Sequence, residues 1–211
     1  GDADAEMAAL LGLSAALSAR SRVASSAEAA DTARALAQER GRYDIEGAAL
    51  LRAAGARAAN GQSGQALLAY QQALPLLREA ADHQTAADVL LAQGDALLDM
   101  GDDEQAAASY RESLALADAL NDRRRQAAAL RRLGKLAEEA ADPRTAAERF
   151  AALLSAARAL DDREMLRAAL VGAARNLRAA GDSAGAVPLY REAWARYADD
   201  GDKEGEAETL L

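Results

Sequence analysis

The strongest constraint on what this chain can fold into is a period of forty residues that runs along it without a slip. Residues 61–100 read GQSGQALLAYQQALPLLREAADHQTAADVLLAQGDALLDM, and residues 101–140 read GDDEQAAASYRESLALADALNDRRRQAAALRRLGKLAEEA. Residues 141–180 follow in register as ADPRTAAERFAALLSAARALDDREMLRAALVGAARNLRAA, and another block opens at Gly181. Block 21–60 fits more loosely, with Ala30 where the others carry Tyr70, Tyr110, Phe150 and Tyr190, and residues 1–20 match the second half of a block. Each block is then one supersecondary unit that buries its apolar face only against its neighbours.

Two helical patterns separated by turn signals fill each block. In the second half, Leu90, Gln93, Gly94 and Leu97 recur as Leu130, Leu133, Gly134 and Ala137, and again as Leu170, Ala173, Ala174 and Leu177. That spacing marks one helix face. The third place holds only Ser14, Ala54, Gly94, Gly134 and Ala174, residues small enough for another helix to approach. In the first half, Ala66, Tyr70 and Ala73 recur as Ala106, Tyr110 and Ser113, with Phe150 and Tyr190 following, so a large ring sits between small neighbours on one face. Glycines at 61, 101 and 181 end helices, and Asp2, Asp82, Asp122, Asp162 and Asp202 stand where a carboxylate caps the next one. The recurring tyrosine is a building rule of the stack, not a recognition spot.

Composition narrows the function classes. The 211 residues are 51% hydrophobic and 28% charged, which suits a folded, soluble protein. A formal charge of -9 argues against nonspecific binding to nucleic acid or anionic membrane. There is no cysteine, hence no disulfide, thiolate metal site or cysteine nucleophile. Residues 7–17 are too short to span a bilayer, and no basic segment precedes them, so a cytoplasmic location is the default. The Arg- and Ala-rich usage fits a bacterial source.

The pattern Leu-x-x-x-Gly-x-x-Leu-x-x-x-Gly-Asp-x-x-x-Ala-x-x-x-Tyr-x-x-Ser-Leu, read from Leu90 to Leu114, resembles the tetratricopeptide repeat in a forty-residue form. The resemblance covers essentially the whole chain. It departs from the usual pattern at Leu10, Leu50, Leu90, Leu130 and Leu170, where the family carries Trp or Tyr, and at Arg57 and Ala30. It implies an all-α, right-handed solenoid of antiparallel helix pairs over 3–40, 42–80, 82–120, 122–160 and 162–198, with a terminal helix over 203–211, forming one repeat domain. The chain begins and ends at the same phase, Gly1-Asp2 against Gly201-Asp202, so it is expected to be a fragment of a longer protein.

No catalytic constellation is legible. The single histidine, His83, lies in an inter-repeat turn beside a capping aspartate, and no cofactor motif is present. Asp200, Asp202 and Glu204 open like a calcium loop, but Leu211 occupies the place of the required bidentate carboxylate, so no metal is expected. The chain is not expected to be an enzyme; catalysis would need a partner domain.

At about 100° per residue, a second face of each first helix turns away from the stack, and the resemblance implies that it lines a concave groove. Candidate partner-binding residues there are Leu51, Arg52, Asp88, Leu91, Asp95, Asp99, Arg131, Arg132, Lys135, Arg175 and Arg178. The series runs from small and apolar residues (Leu11, Ala15, Ser18, Ala48, Gly55, Ala58) through acidic to basic, which suits a protein or peptide partner, an acidic segment in particular. The competing reading is a solvated face in which the arginines pair with Glu138, Glu139 and other neighbours. Asn176 is one residue off the position that chaperone-tail-binding relatives use to grip a terminal carboxylate. Trp194 is read as packing on the helix from 203 onward, with exposure at an interface as the alternative; exposed terminal repeats leave a homo-oligomer open. The function expected is a non-catalytic protein-interaction scaffold, and the alternative is a sensor or regulatory arm of a larger bacterial signalling or transcription-regulating protein.

Overall fold

A computed structural model describes residues 2–209, so the last two positions of the helix expected over 203–211 lie outside the described residues. Among the described residues there are eleven helices and no strand: α1 (Asp2–Ala19), α2 (Val23–Glu39), α3 (Tyr43–Ala59), α4 (Ser63–Glu79), α5 (His83–Asp99), α6 (Asp103–Ala119), α7 (Arg123–Glu139), α8 (Pro143–Leu160), α9 (Arg163–Ala179), α10 (Ser183–Asp199) and α11 (Lys203–Glu208). The protein is an all-α helical-repeat solenoid. It divides into two compact units, residues 1–116 and 117–211. In the first, each of α1 to α4 packs on the helix after it, and α3 also meets α1 and α5; in the second, each of α7 to α10 packs on its successor.

The turns show a finer period than the sequence comparison, one of twenty residues. Ser21, Gly41, Gly61, Ala81, Gly101, Asn121, Ala141, Asp161, Gly181 and Gly201 all adopt positive φ. At Ala81 the amide donates to the Arg78 carbonyl at 3.1 Å, and the next amide, of Asp82, donates to the Leu77 carbonyl at 2.9 Å. This pair of bonds satisfies the orphan carbonyls at a helix end. Asp82 then caps the following helix, its Oδ1 accepting from the Thr85 amide at 3.0 Å. Asp122, Asp162 and Asp202 act likewise, and so do Asp102, Asp142 and Asp182 at the starts of the second helices. The side chain of Asp2 lies outside the described residues. At α2, α3 and α4 the residues before the helix are Arg22, Arg42 and Gln62, and no side chain caps the helix. Hydrogen bonds at Thr145 hold the Asp142 carboxyl below its ordinary pKa, and the Arg125 amide does the same for Asp122.

Five of the ten left-handed positions carry a side chain, which costs an L-residue about 1–2 kcal/mol there. Ala81 and Ala141, both at φ 54°, have no side-chain bond to offset that cost. Replacing either by glycine should raise the unfolding free energy by about 1 kcal/mol once the added freedom of the unfolded chain is deducted. Urea denaturation checks this; an unchanged or lowered midpoint would show the turn to be unstrained.

Between the helices, the recurring rings sit on glycines. Tyr110 is fully buried and Phe150 is 5% exposed. A Cβ added at Gly94 would lie 2.7 Å from Tyr110 Cδ1, and one at Gly134 would lie 3.0 Å from Phe150 Cε2. Large against small is therefore a steric requirement, because interiors leave no room for a methyl group at such a crossing. In the first block, where Ala30 replaces the ring, Ser14 and Ser26 hold the crossing instead. Ser14 Oγ donates to the Ser26 carbonyl at 2.9 Å, and Ser26 Oγ donates to the Ser14 carbonyl at 2.7 Å.

Candidate functional site

The first helices α3, α5, α7 and α9 carry all eleven candidate residues, and within each unit some first-helix faces come together. Between α1 and α3, Leu51 and Arg52 join Ala15, Ser18, Ala48 and Gly55 around a recess of about 400 Å³, with Ser14 and Ser26 at its floor. Arg52 is exposed and makes no ion pair with any described residue. Sequence spacing alone had placed these small residues on one face, and the fold assembles them.

The acidic middle of α5 is largely committed to packing. Asp95 is half-buried and accepts the Tyr110 hydroxyl at 2.7 Å, while Asp99 accepts the Ser63 hydroxyl at 2.9 Å. Burial, helped by the charge of Asp95, pushes the Tyr70 phenol above its ordinary pKa. Leu91 is only 7% exposed, because α5 packs on both α3 and α4 and its apolar side is wider than one stripe. Of this group only Asp88 and Asp99 are exposed.

In the second unit the basic residues fall into two sets. Arg175 Nη2 donates to Glu138 Oε1 at 2.5 Å, and Asn176 Nδ2 reaches the same oxygen and the Gly172 carbonyl. The Arg178 guanidinium lies 5.8 Å from the Tyr190 ring centre, within cation–π range. Arg132 is half-buried, with Nη1 3.5 Å from the Ala128 carbonyl. These three belong to the solvated, internally paired face that the sequence allowed as the competing reading.

Arg131 and Lys135 are different. Both are exposed, and neither has an acidic partner among the described residues. Arg124, which sequence reasoning did not single out, completes their row, since positions 124, 131 and 135 are separated by seven and four residues and share one face of α7. The same spacing, extended one heptad backward from Arg131, would have found it. Arg124 and Arg131 form one wall of a cavity of about 290 Å³ with Leu153 at its base and Met165 and Ala168 of α9 opposite. Asp162 and Glu164 line it as well, and Asp162 already accepts from the Met165 amide at 2.9 Å. Two exposed cations without ion pairs, Arg124 and Arg131, beside an apolar base, with Lys135 farther along the same helix face, can receive a carboxylate together with an apolar side chain.

Trp194 is partly covered. It is 43% exposed and lines a recess with Val187, Tyr190 and Arg178; Thr209, the residue that ends α11, lines the same recess, while Tyr197 takes the place against Gly205. One repeat earlier the matching residues Ala147, Phe150 and Leu154 are buried, so this is a stacking face of the repeat and not a feature peculiar to Trp194. His83 is exposed at the first position of α5. Among the described residues no group of three or more His, Asp or Glu is placed to hold a metal, and no helix is long and apolar enough to cross a membrane.

No protein-family model and no curated sequence matches the chain. Solved structures do. The apo form of RapI superposes with a TM-score of 0.85 at 15% identity, over 97% of this chain and 57% of that one. A signal transduction ATPase with numerous domains from Pyrococcus horikoshii, which carries a tetratricopeptide repeat sensor, gives 0.83 at 17% identity over 100% of this chain and 36% of the other. A Rap protein complexed with competence and sporulation factor gives 0.68 at 15% identity over 100% and 62%. The chain thus spans between about a third and two thirds of these proteins' lengths, and it has the fold of tetratricopeptide-type repeats.

Proposed function

We propose that this chain is a non-catalytic interaction scaffold whose first-helix faces receive a protein or peptide segment, and that the α7–α9 face takes an acidic one. The observation that carries this reading is the row Arg124, Arg131 and Lys135, left without acidic partners beside an apolar-floored cavity in a protein of net charge -9. A surface this acidic overall gains little by leaving cations unpaired, and such a row attracts and orients a negatively charged segment. The structural likeness to a Rap protein complexed with a factor supports a segment-binding role for the fold.

Charge reversal tests it. With fluorescent twelve-residue Asp/Glu-rich peptides as probes, Arg131→Glu with Lys135→Glu should weaken binding by at least about tenfold, since two attractions become two repulsions. Binding should also weaken as salt rises. Unchanged affinity in the reversed variant would overturn the assignment. A second reading, a sensor or regulatory arm of a larger bacterial signalling or transcription-regulating protein, draws support from the match to 36% of the multidomain ATPase. It requires the natural reading frame to continue into an effector domain, which sequencing the gene decides.

A further inference from the structure

The recess between α1 and α3 is open because of a specific set of residues, and the repeat register shows which ones. Positions 120 residues apart correspond across the forty-residue period, so α1 and α3 can be compared with α7 and α9. Where the later pair has Lys135, Glu138, Arg175 and Asn176, the earlier pair has Ala15, Ser18, Gly55 and Ala56. In α7 and α9 the Arg175–Glu138 bridge and the Asn176 amide cross from one helix toward the other. At the corresponding positions of α1 and α3 no side chain is long enough to do so. The layer beneath is also depleted: Phe150 lies against both Gly134 and Gly172, whereas the corresponding residue, Ala30, brings no ring toward Ser14. The result is a recess of about 400 Å³ walled by Ala15, Ala48, Leu51 and Ala56, with two mutually bonded serines at its base and unpaired Arg52 at its edge.

We infer that this recess is a subsite for an aromatic side chain of a partner segment that carries a carboxylate next to the ring. The inference rests on the reading that first-helix faces receive partner segments, and it names what the first unit would select. The apolar walls favour a ring, whose burial supplies most of the attraction. Each serine hydroxyl donates its one proton to the other serine's backbone carbonyl, so neither has a proton left to seek a polar ligand, and an apolar one leaves no donor unsatisfied. Arg52 supplies the charge complementarity, with a planar donor fork suited to a carboxylate. The size fits one ring and its backbone, and an extended segment would leave its neighbouring side chain at the recess edge.

The protein's own later repeat provides the test. Ser18→Glu with Gly55→Arg transplants the Glu138–Arg175 bridge and closes the recess from its exposed side. A Cβ at Gly55 meets no atom within 4 Å, and both Gly55 and Ser18 are exposed, so the backbone has room for the two side chains. Thermal unfolding monitors the fold. The probes are two fluorescent twelve-residue acidic peptides that differ by one Phe-Glu pair in place of Ala-Glu. The Phe peptide should bind the native protein at least about tenfold more tightly than the Ala peptide. Recess closure should remove that preference while leaving Ala-peptide binding as it was, and Arg52→Glu should diminish the preference too. If the Phe preference is absent, or survives closure, the subsite is disproved, even where binding still depends on Arg131 and Lys135. If neither peptide binds at all, both readings fall together.

Discussion

Replacing Tyr110 with alanine should destabilise the protein by about 3–5 kcal/mol, the cost usual for emptying a buried aromatic site. The ring is completely buried and lies over Gly94, whose missing side chain it requires, so the site cannot collapse without moving α5 against α6. Removing the ring also strips Asp95 of the hydroxyl bonded to it at 2.7 Å. The conservative variant separates these contributions: Tyr110→Phe keeps the packing and loses one bond to a charged acceptor, a cost of about 1.5–3 kcal/mol. Urea denaturation followed by circular dichroism reads both. Equal costs for the two variants would mean that the hydrogen bond, and not the ring-on-glycine crossing, holds this junction. A loss below that of Tyr110→Phe in the alanine variant would refute the packing argument outright.

Much of this architecture was legible because a solenoid writes its contacts into a period. The register that aligns Tyr70, Tyr110 and Phe150 also aligns Gly94 with Gly134, and both relations turn out to be steric. The caps were half-read. Asp82 and Asp122 stood out at a spacing of forty, but Asp102, Asp142 and Asp182 cap the second helices by the same bond. At two of the left-handed turns there is no sequence signal, since Ala81 and Ala141 look like any other alanine, unlike Asn121 and Asp161, which tolerate that conformation. The candidate site was legible to a smaller degree. Helix phase tells which way a residue points but not what meets it there. Asp95 and Arg175 face as expected, yet a hydroxyl fifteen positions away claims one and a glutamate thirty-seven positions away claims the other. Leu91 was assigned to the open face from its angle alone, and the packing of α5 on two neighbours covers it. What remained visible throughout was absence of bulk: the run of small residues in α1 and α3 does correspond to an open recess.

The second large effect is expected at Phe150, where one ring is held between glycines of two different helices. A Cβ at Gly172 would lie 2.7 Å from Phe150 Cδ1, closer than real side chains come, whereas at Gly134 the nearest approach is 3.0 Å. The two glycines therefore differ in tolerance. Gly172→Ala should cost about 1–3 kcal/mol through overpacking, even though alanine is the better helix former by up to about 1 kcal/mol. Gly134→Ala should cost much less, because a shift of a few tenths of an ångström relieves it. Phe150→Ala alone should cost about 3–5 kcal/mol by leaving a cavity between Gly134 and Gly172 where the buried ring stood. The decisive measurement is the double mutant. With the ring gone, the methyl at position 172 meets no clash and fills part of the void, so Phe150→Ala with Gly172→Ala should be less destabilised than the two single costs added, by about 1–3 kcal/mol of coupling. Additive losses would mean that α9 does not press on this ring and that Gly172 is small for some other reason. Strong coupling at Gly172 with weak coupling at Gly134 would establish that Phe150 is clamped chiefly by the repeat that follows it, unlike Tyr110, which lies on Gly94 of the helix before it.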